Sequence, residues 1–452
     1  PLQSIVLPKG ITTIGDDAFS YNTSLTSIKI PNTVTSIGKR AFQGCTNLTS
    51  IEIPDTVTYI GDYCFSGCNR LQKIKLSKKI QTINTRLLQG CSSLTEIEIP
   101  EGVKSINYGA FNSCNKLTTI TLPASLTSFS GAAIARLNRL TEVKIADGNN
   151  SFKFENGILL SKDGKTMYMA LLTLTEINVP NGVVNIIVDT LSGSSATKII
   201  LPDTVSSNLS GNVFAGMNKL TKIELSSTSK NLKLVDGNLY SYDGKRFIKY
   251  MGTSKIFTVP EGVETLCPGC ITKSMTTLNL PSTLKVIDGW SLTGVSGVKL
   301  LNIPASVTTM YTYSFSADTK LRVAEGNSTY KSIDDVLILN KAGTKVMMAN
   351  RNATTYNIPN TVTEIGKNAF YGCSKITSIT IPDSVTTIGA GAFESCSSLT
   401  EITIPQSVTS IGSDAFVYCG KLMAINIKGE EGRISGGPWG AQYGNRVINW
   451  NV

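Results

Sequence analysis

Ten cysteines and not one histidine set the terms on which this chain of 452 residues could do chemistry. Cys267-Pro268-Gly269-Cys270 has the C-x-x-C spacing at which two thiols exchange with disulfides or supply half of a zinc site. No second C-x-x-C completes such a zinc site, and the missing histidine removes the common alternative ligand. It also removes Ser-His-Asp and Cys-His catalysis and histidine general bases. Neither a phosphate-binding G-x-x-x-x-G-K-[ST] loop nor a dinucleotide fingerprint occurs. What remains for catalysis is a reactive thiol or a set of carboxylates such as Glu96, Glu142 and Glu176.

These residues must be read on the framework that positions them, and that framework is a repeat. The phrase from Leu25 to Asn47 starts again at Leu48, and Pro8, Pro31, Pro54, Ser77, Pro100 and Pro123 fall 23 residues apart. It can be written L-x-x-I-x-I-P-x-x-V-x-x-I-G-x-x-A-F-x-G-C-x-x. Its opening alternates as a strand with one buried face: Ile28 and Ile30 inward, Lys29 outward. Pro31 ends the strand, Val34 and Ile37 bury a second short extended segment, and Gly38 permits a tight bend. Ala41-Phe42 read as one helical turn that presses an aromatic ring inward. A single coil cannot bury this much apolar surface, so the pattern predicts coils stacked into one solenoid. Because Pro1 to Pro8 already lies inside a strand phrase, Leu2, Ile5 and Leu7 would be left uncovered, and residues upstream are expected to cap them.

Placed on the repeat, the cysteines lose their resemblance to a disulfide framework. Cys45, Cys68, Cys91 and Cys114 occupy one column, as do Cys373, Cys396 and Cys419, where other coils carry Asn22, Met217 or Val295. That is a ladder of buried thiols, and Cys64 takes a buried alanine position. The C-x-x-C falls on the turn of an ordinary coil, with Leu266 in the isoleucine place and Ile271 in the phenylalanine place, and lacks a thioredoxin-like β-α-β context. Glu96, Glu142 and Glu176 share an outward strand column, where solvated polarity accounts for them. The neighbouring column reads Lys29, Glu52, Lys75, Glu98, Thr121, Lys144, an alternation suited to an ion-pair ladder. Later it becomes Asn279, Asn302, Asn357, Thr380, Thr403 and Asn426, a set better suited to a sugar or a peptide.

Three coils of 34 or 35 residues interrupt the rhythm, ending at Pro180, Pro260 and Pro359. Asn156-Gly157 and Asp163-Gly164 align with Asp236-Gly237 and Asp243-Gly244, and the third copy runs from Asp334 to Lys345. Asp-Gly between β-rich runs signals hairpins with type I′ turns, here projecting from the solenoid. Asp147, Asp163, Asp236 and Asp243 are turn residues, since no cluster of calcium-binding oxygen ligands surrounds them. Beyond Gly429 the composition changes. Gly432, Gly436, Gly437, Pro438, Gly440 and Gly444 punctuate the tail, Trp439 and Tyr443 are large aromatics, and Arg446-Val447-Ile448-Asn449-Trp450 alternates like a last strand. A C-terminal cap laying two tryptophans over the final coil is expected. The chain therefore divides into regular repeats at 1–146, repeats with hairpin insertions at 147–358, regular repeats at 359–428 and a cap at 429–452.

The net charge of +10 would favour anionic partners, but the basic residues are dispersed and form no aromatic-interleaved stripe, so no nucleic acid is expected. No run of eighteen apolar residues and no signal peptide occurs in the sequence. The hairpins instead combine Tyr168, Tyr240, Tyr242, Phe247 and Tyr250 with Lys245 and Arg246, the aromatic and cationic mixture that contact surfaces favour. These residues are the expected binding site, unless the tyrosines cover the solenoid flank under each hairpin.

The phrase L-x-x-I-x-I-P-x-x-V-x-x-I-G-x-x-A-F-x-G-C, in coils such as Leu25 to Asn47 and Ile376 to Ser398, resembles the BspA-like or treponemal-type leucine-rich repeat from Leu2 to Ile427. The resemblance implies an α/β-type solenoid, a right-handed leucine-rich-repeat superhelix of about 23-residue coils, strand-rich, with short helical turns, from which the three β-hairpin insertions are departures. It also implies a monomeric extracellular or cell-surface protein of bacteria or protists that binds host extracellular-matrix or other surface proteins, or glycans, with no catalytic residues and no cofactor or metal. Two other classes stand beside this reading: a structural spacer of a larger surface protein, and a thiol or carboxylate enzyme. A binding protein should show an exposed aromatic or apolar patch, a spacer bland faces, and an enzyme a deep pocket with convergent ionisable groups.

Overall fold

The hydrogen-bond register repeats with the sequence. In the computed structural model, which describes residues 3–134, 136–435, 439–440 and 447–451, strand Ser27–Lys29 lies parallel to Ser4–Val6, with Ile28 beside Ile5. Ser50–Glu52 pairs likewise with Lys73–Lys75, and Thr119–Leu122 with Glu142–Ile145, always 23 residues apart. A second row of two-residue strands follows each proline, or Ser77 in its place: Thr13–Ile14, Ser36–Ile37 and Tyr59–Ile60, then Thr82–Ile83, Ser105–Ile106 and Ser128–Phe129. The result is a strand-rich solenoid of about 19 turns with few helices. By contacts it falls into two units, Pro1–Tyr242 and Asp243–Val452, each with its own core.

At Ala41-Phe42 the third side of the coil is not the expected helical turn, which is reached on this side in three other coils as a short 3₁₀ turn. Around Ala41-Phe42 alternate amides point along the stack: Arg40, Phe42 and Gly44 N–H donate to Asp62, Cys64 and Ser66 C=O of the next coil at 2.9, 2.9 and 2.8 Å. Tyr63, Phe65 and Gly67 repeat this toward Thr85, Leu87 and Gln89. Arg40, Tyr63 and Arg86 take left-handed φ of 54°, 58° and 53° to aim those amides. A segment this short cannot repay helix nucleation within itself, whereas its neighbour offers an acceptor for every second amide. Next to the strands the direction reverses: Thr26, Thr35 and Gly38 N–H donate to Gln3, Thr12 and Ile14 C=O of the preceding coil. The described helices are three short 3₁₀ turns, Gly131–Ile134, Gly211–Phe214 and Thr312–Ser314.

The core is a set of ladders. Phe19, Phe42 and Phe65 stack face to face with centroids 5.2 and 5.4 Å apart, and Phe370, Phe393 and Phe416 do so at 5.2 and 5.7 Å. Beside them run the cysteines, all ten free and buried. Cys45, Cys68, Cys91 and Cys114 donate S–H to the carbonyls of Phe19, Phe42, Phe65 and Leu88 at 3.1 to 3.2 Å, and Cys396 and Cys419 to Phe370 and Phe393. Tyr356 O–H donates to the Cys373 sulfur. Apolar anchoring outranks the ladder of amides. Residues 95–99 and 377–381 carry the strand consensus yet form no strand, while Ile97, Ile99 and Ile381 remain buried. Amides on the exposed face can bond water at little cost; the side chains cannot.

The insertions do not project. Phe152–Glu155 pairs antiparallel with Ile158–Ser161, which pairs antiparallel with Thr166–Ala170. That third strand then lies parallel to Asn185–Ile186 of the following coil. Tyr330–Ile333, Leu337–Asn340, Lys345–Ala349 and Glu364–Ile365 repeat the arrangement. Phe152, Ile158, Leu159, Leu160 and Met167 are all buried, because the middle strand of a hairpin joined edge-on to the stack is covered on both faces. Type I′ turns occur at Asn156-Gly157 and Asp236-Gly237, where both φ are positive. At Asp163-Gly164 only the glycine is left-handed, and Asp163 instead accepts from Ser161 O–H and Lys165 N–H. At the C-terminal end Val447–Trp450 pairs parallel with Ala424–Ile427, Trp439 is buried, and Phe416 N–H donates to the Trp439 carbonyl. Leu2, Gly436, Gly437, Pro438, Tyr443, Gly444 and Arg446 lie outside the described residues.

Because each column thiol sits in an apolar layer with one carbonyl acceptor, Cys68→Ser should lower stability by roughly 1–3 kcal/mol, measured by urea unfolding. Thiol labelling of the native protein should be slow at Cys45, Cys68, Cys91, Cys114, Cys373, Cys396 and Cys419 and become fast on denaturation. A disulfide between any two of them in the native protein would contradict the ladder.

Candidate binding surface

The residues with reactive chemistry are sealed inside. Cys267 and Cys270 are buried and free, on a turn closed by Cys270 N–H to Cys267 C=O at 3.1 Å, with Gly269 at φ 69°. Burial pushes the Cys267 thiol up to about 11 and raises that of Cys270 well above its ordinary value, so neither is a thiolate at neutral pH. Burial likewise lifts Cys45 and Cys373 to about 11 and Cys114 to about 12. Among the described residues no group of three Cys, Asp or Glu side chains could hold a metal. Glu96, Glu142 and Glu176 sit on the exposed strand face, paired with Lys73, Lys144 and Lys198 at 3.6, 3.6 and 3.4 Å.

The expected hairpin site is divided between surface and core. Tyr240, Phe247 and Tyr250 are buried, Tyr240 at only 3% exposure. Phe247 and Tyr250 pack on Phe257, with centroids 5.4 and 4.6 Å away, and Tyr250 O–H donates to the Ser254 carbonyl. Tyr168 is half-buried and meets Phe129 and Phe152 edge to face. These four aromatics cover the flank of the solenoid, as an edge-joined hairpin requires. Tyr242, at 56% exposure, and Lys245 remain at the surface, and Arg246 is half-buried.

Of the ion-pair ladder expected along Lys29, Glu52, Lys75 and Glu98, the pair that closes among the described residues is Glu52 with Lys75. Glu52 lies in register with Lys75 and forms an ion pair with it, which holds the Lys75 ammonium above its usual range. Lys198 bridges Glu176 and Glu224 at 3.4 and 3.1 Å, and Lys222 adds a contact to Glu224 at 2.7 Å. In the second unit the column turns to amides: Asn279 donates to the Thr258 hydroxyl at 3.0 Å, and Asn449 to the Asn426 carbonyl oxygen at 2.7 Å. All of these groups are exposed or half-exposed, so each pair contributes only about 0–1 kcal/mol and remains free to exchange for a ligand's groups.

A third row of side chains, at the left-handed turn positions, is absent from the sequence reading. Asp17 takes a bidentate bond from Arg40, with both N–O distances 2.8 Å, which lowers its carboxyl. Arg86 lies between the rings of Tyr63 and Tyr108, 5.4 Å from each centroid. In the second unit the row reads Trp290, Tyr313, Asn368, with Tyr313 in a 3₁₀ turn instead of a left-handed φ, and Trp290 is 51% exposed. The signal was there, since Trp290 and Tyr313 are 23 residues apart, but the short coil from Glu261 to Pro281 before them obscures the register.

One buried charge is unexpected. Lys249 is 6% exposed and donates to the Gly269 carbonyl and the Thr272 hydroxyl, both at 3.1 Å, with desolvation lowering its ammonium to about 8. A lysine that titrates near 10.5 unfolded and near 8 folded costs stability in full below pH 8 and releases that cost between pH 8 and 10.5. Lys249→Met should therefore gain most over the wild-type protein at pH 7. The difference between the two should shrink by roughly 3 kcal/mol as urea unfolding is followed from pH 8 to 10.5. A difference independent of pH would contradict a buried ammonium.

The family model described as "BspA type Leucine rich repeat region (6 copies)" matches residues 1–97, 35–156, 164–242, 245–349 and 340–436, most of the chain. No curated protein matches the sequence significantly. Among solved structures, a leucine-rich repeat protein from Eubacterium ventriosum is 19% identical, covering 88% of this chain and 83% of its own, with a TM-score of 0.41. A leucine-rich cell surface protein from Faecalibacterium prausnitzii is 21% identical over 96% of this chain and 89% of its own, at a TM-score of 0.27. The pneumococcal vaccine antigen PcpA is 17% identical over 99% of this chain and 79% of its own, at 0.32. No helix among the described residues is long and apolar enough to cross a membrane. With the repeat model matched along nearly its whole length and its coils stacked in register, this chain belongs to the BspA type leucine-rich repeat family.

Proposed function

We propose that the chain is a secreted or surface-attached bacterial binding protein, a right-handed solenoid that presents its exposed strand face to a partner protein. One observation carries the reading: thiols and the buried lysine face inward, while the strand face offers Lys29, Glu52, Lys73, Lys75 and Glu96 to solvent. Charges repeated at the strand spacing of about 4.8 Å suit an extended, polar partner such as a host extracellular-matrix protein, and they favour orientation and encounter over raw affinity. The solenoid supports this role because neighbouring coils fix every side chain of the face. Tyr242 and Lys245, the hairpin residues left at the surface, are the competing location.

Binding to immobilised fibronectin, laminin and collagen separates the two. Lys73→Glu combined with Lys75→Glu should weaken binding about tenfold or more at low ionic strength and much less at high salt, with the melting transition intact. Shortening the turns at Asp163-Gly164 and Asp243-Gly244 should leave binding unchanged. Loss of binding on turn shortening, with folding retained, would move recognition to the hairpins. No binding by the wild-type chain to any of the three would leave the spacer reading.

A further inference from the structure

Trp290 is the largest exposed aromatic side chain described in the second unit, and its setting differs from that of every ring in the core. Its indole stacks on Tyr313 with centroids 5.2 Å apart and planes 12° from parallel. Tyr313 in turn meets Tyr371 edge to face at 4.8 Å and accepts a hydrogen bond from the Asn368 amide. On the other side the preceding coil places Gly269 at this level, its N–H donating to the Trp290 carbonyl at 3.1 Å. Glycine supplies no side chain to stack. Trp290 is 51% exposed although Tyr313 covers one face of its ring, so the exposure falls on the rest of the indole. In the first unit Arg86 of the same row has a ring on either side, Tyr63 and Tyr108. Here the stack stops one ring short.

We propose that this missing rung is a carbohydrate-binding site, in which a pyranose ring lays its C–H face on the open indole face of Trp290. The proposal is independent of the strand face. Three features favour a sugar over a protein side chain. The immediate surroundings are polar: Thr293 is exposed and Asp288 half-exposed, while the apolar neighbours Leu292 and Phe315 are buried. A single ring platform in polar surroundings is far smaller than the apolar centre of a protein interface. The indole N–H bonds to none of the described residues, whereas buried Trp439 donates its own to the Ser435 carbonyl at 3.1 Å. A free donor at the edge of an apolar face matches a sugar's hydroxyl rim above its C–H face. Trp290 also holds a left-handed φ of 63°, where a bulky side chain is disfavoured, so what the fold gains from tryptophan here is the stack on Tyr313.

The test uses the full chain on an array of released mucin O-glycans and N-acetylglucosamine oligomers, followed by calorimetric titration with the strongest binder. Trp290→Gly removes the ring and suits the positive φ, so it should fold at least as well as the wild-type protein. It should lose binding by about tenfold or more, whereas Trp290→Tyr should retain most of it. Lys73→Glu with Lys75→Glu should leave sugar binding untouched, which separates this site from the strand face. Absence of any glycan bound by the wild-type chain, or undiminished binding by a folded Trp290→Gly variant, overturns the proposal. Trp290-dependent capture of peptides without glycan binding overturns it too, in favour of a protein ligand.

Discussion

A coil of this protein cannot bury its own apolar side chains, and every other feature follows from that constraint. Leu25, Ile28, Val34, Ile37 and Phe42 are buried because the same residue types, 23 positions on, lie against them. The register is therefore fixed by side chains before it is fixed by amides. Where the amides lose their ladder, at residues 95–99, the isoleucines keep their places. The cysteines belong to the same economy. A thiol is small enough for a layer of stacked phenylalanines, and its weak donor meets a carbonyl that a methyl group would leave with one partner fewer.

Much of this was legible in the sequence because periodicity reports burial directly. The inward isoleucines, the phenylalanine and cysteine columns and the ion pair of Glu52 with Lys75 all follow from aligning coils. The helical turn at Ala41-Phe42 did not follow, because an apolar pair after a glycine fits a helix or a turn equally well, and only the acceptor on the next coil decides between them. The projecting hairpins were misread for a different reason. Ile158-Leu159-Leu160 and Leu337-Ile338-Leu339 are unbroken apolar runs, the mark of strands covered on both faces. A solvent-exposed hairpin would have alternated, and the burial of Tyr240 beside Leu239 belongs to the same pattern.

Sequence composition placed recognition where aromatics and cations are dense, and the structure redistributes them. Dense aromatics mark the places where a coil must close over an irregular neighbour, so Phe247 and Tyr250 are spent on Phe257. Trp290, an aromatic that does remain at the surface, stands alone in its stretch of sequence. It gains a partner only through Tyr313, one coil away. Adjacency across coils, not along the chain, is the unit in which this surface is written.

The opposed directions of the backbone bonds have an electrostatic outcome. On the turn side the N–H dipoles of Arg40, Phe42 and Gly44 point to the following coil, and next to the strands those of Thr26, Thr35 and Gly38 point to the preceding one. An α-helix adds its peptide dipoles head to tail and accumulates about half a charge at each end. Here the two rows of a coil point in opposite directions, so their peptide dipoles offset one another instead of accumulating. Duplication or loss of such a coil therefore adds or removes backbone dipoles in both directions at once.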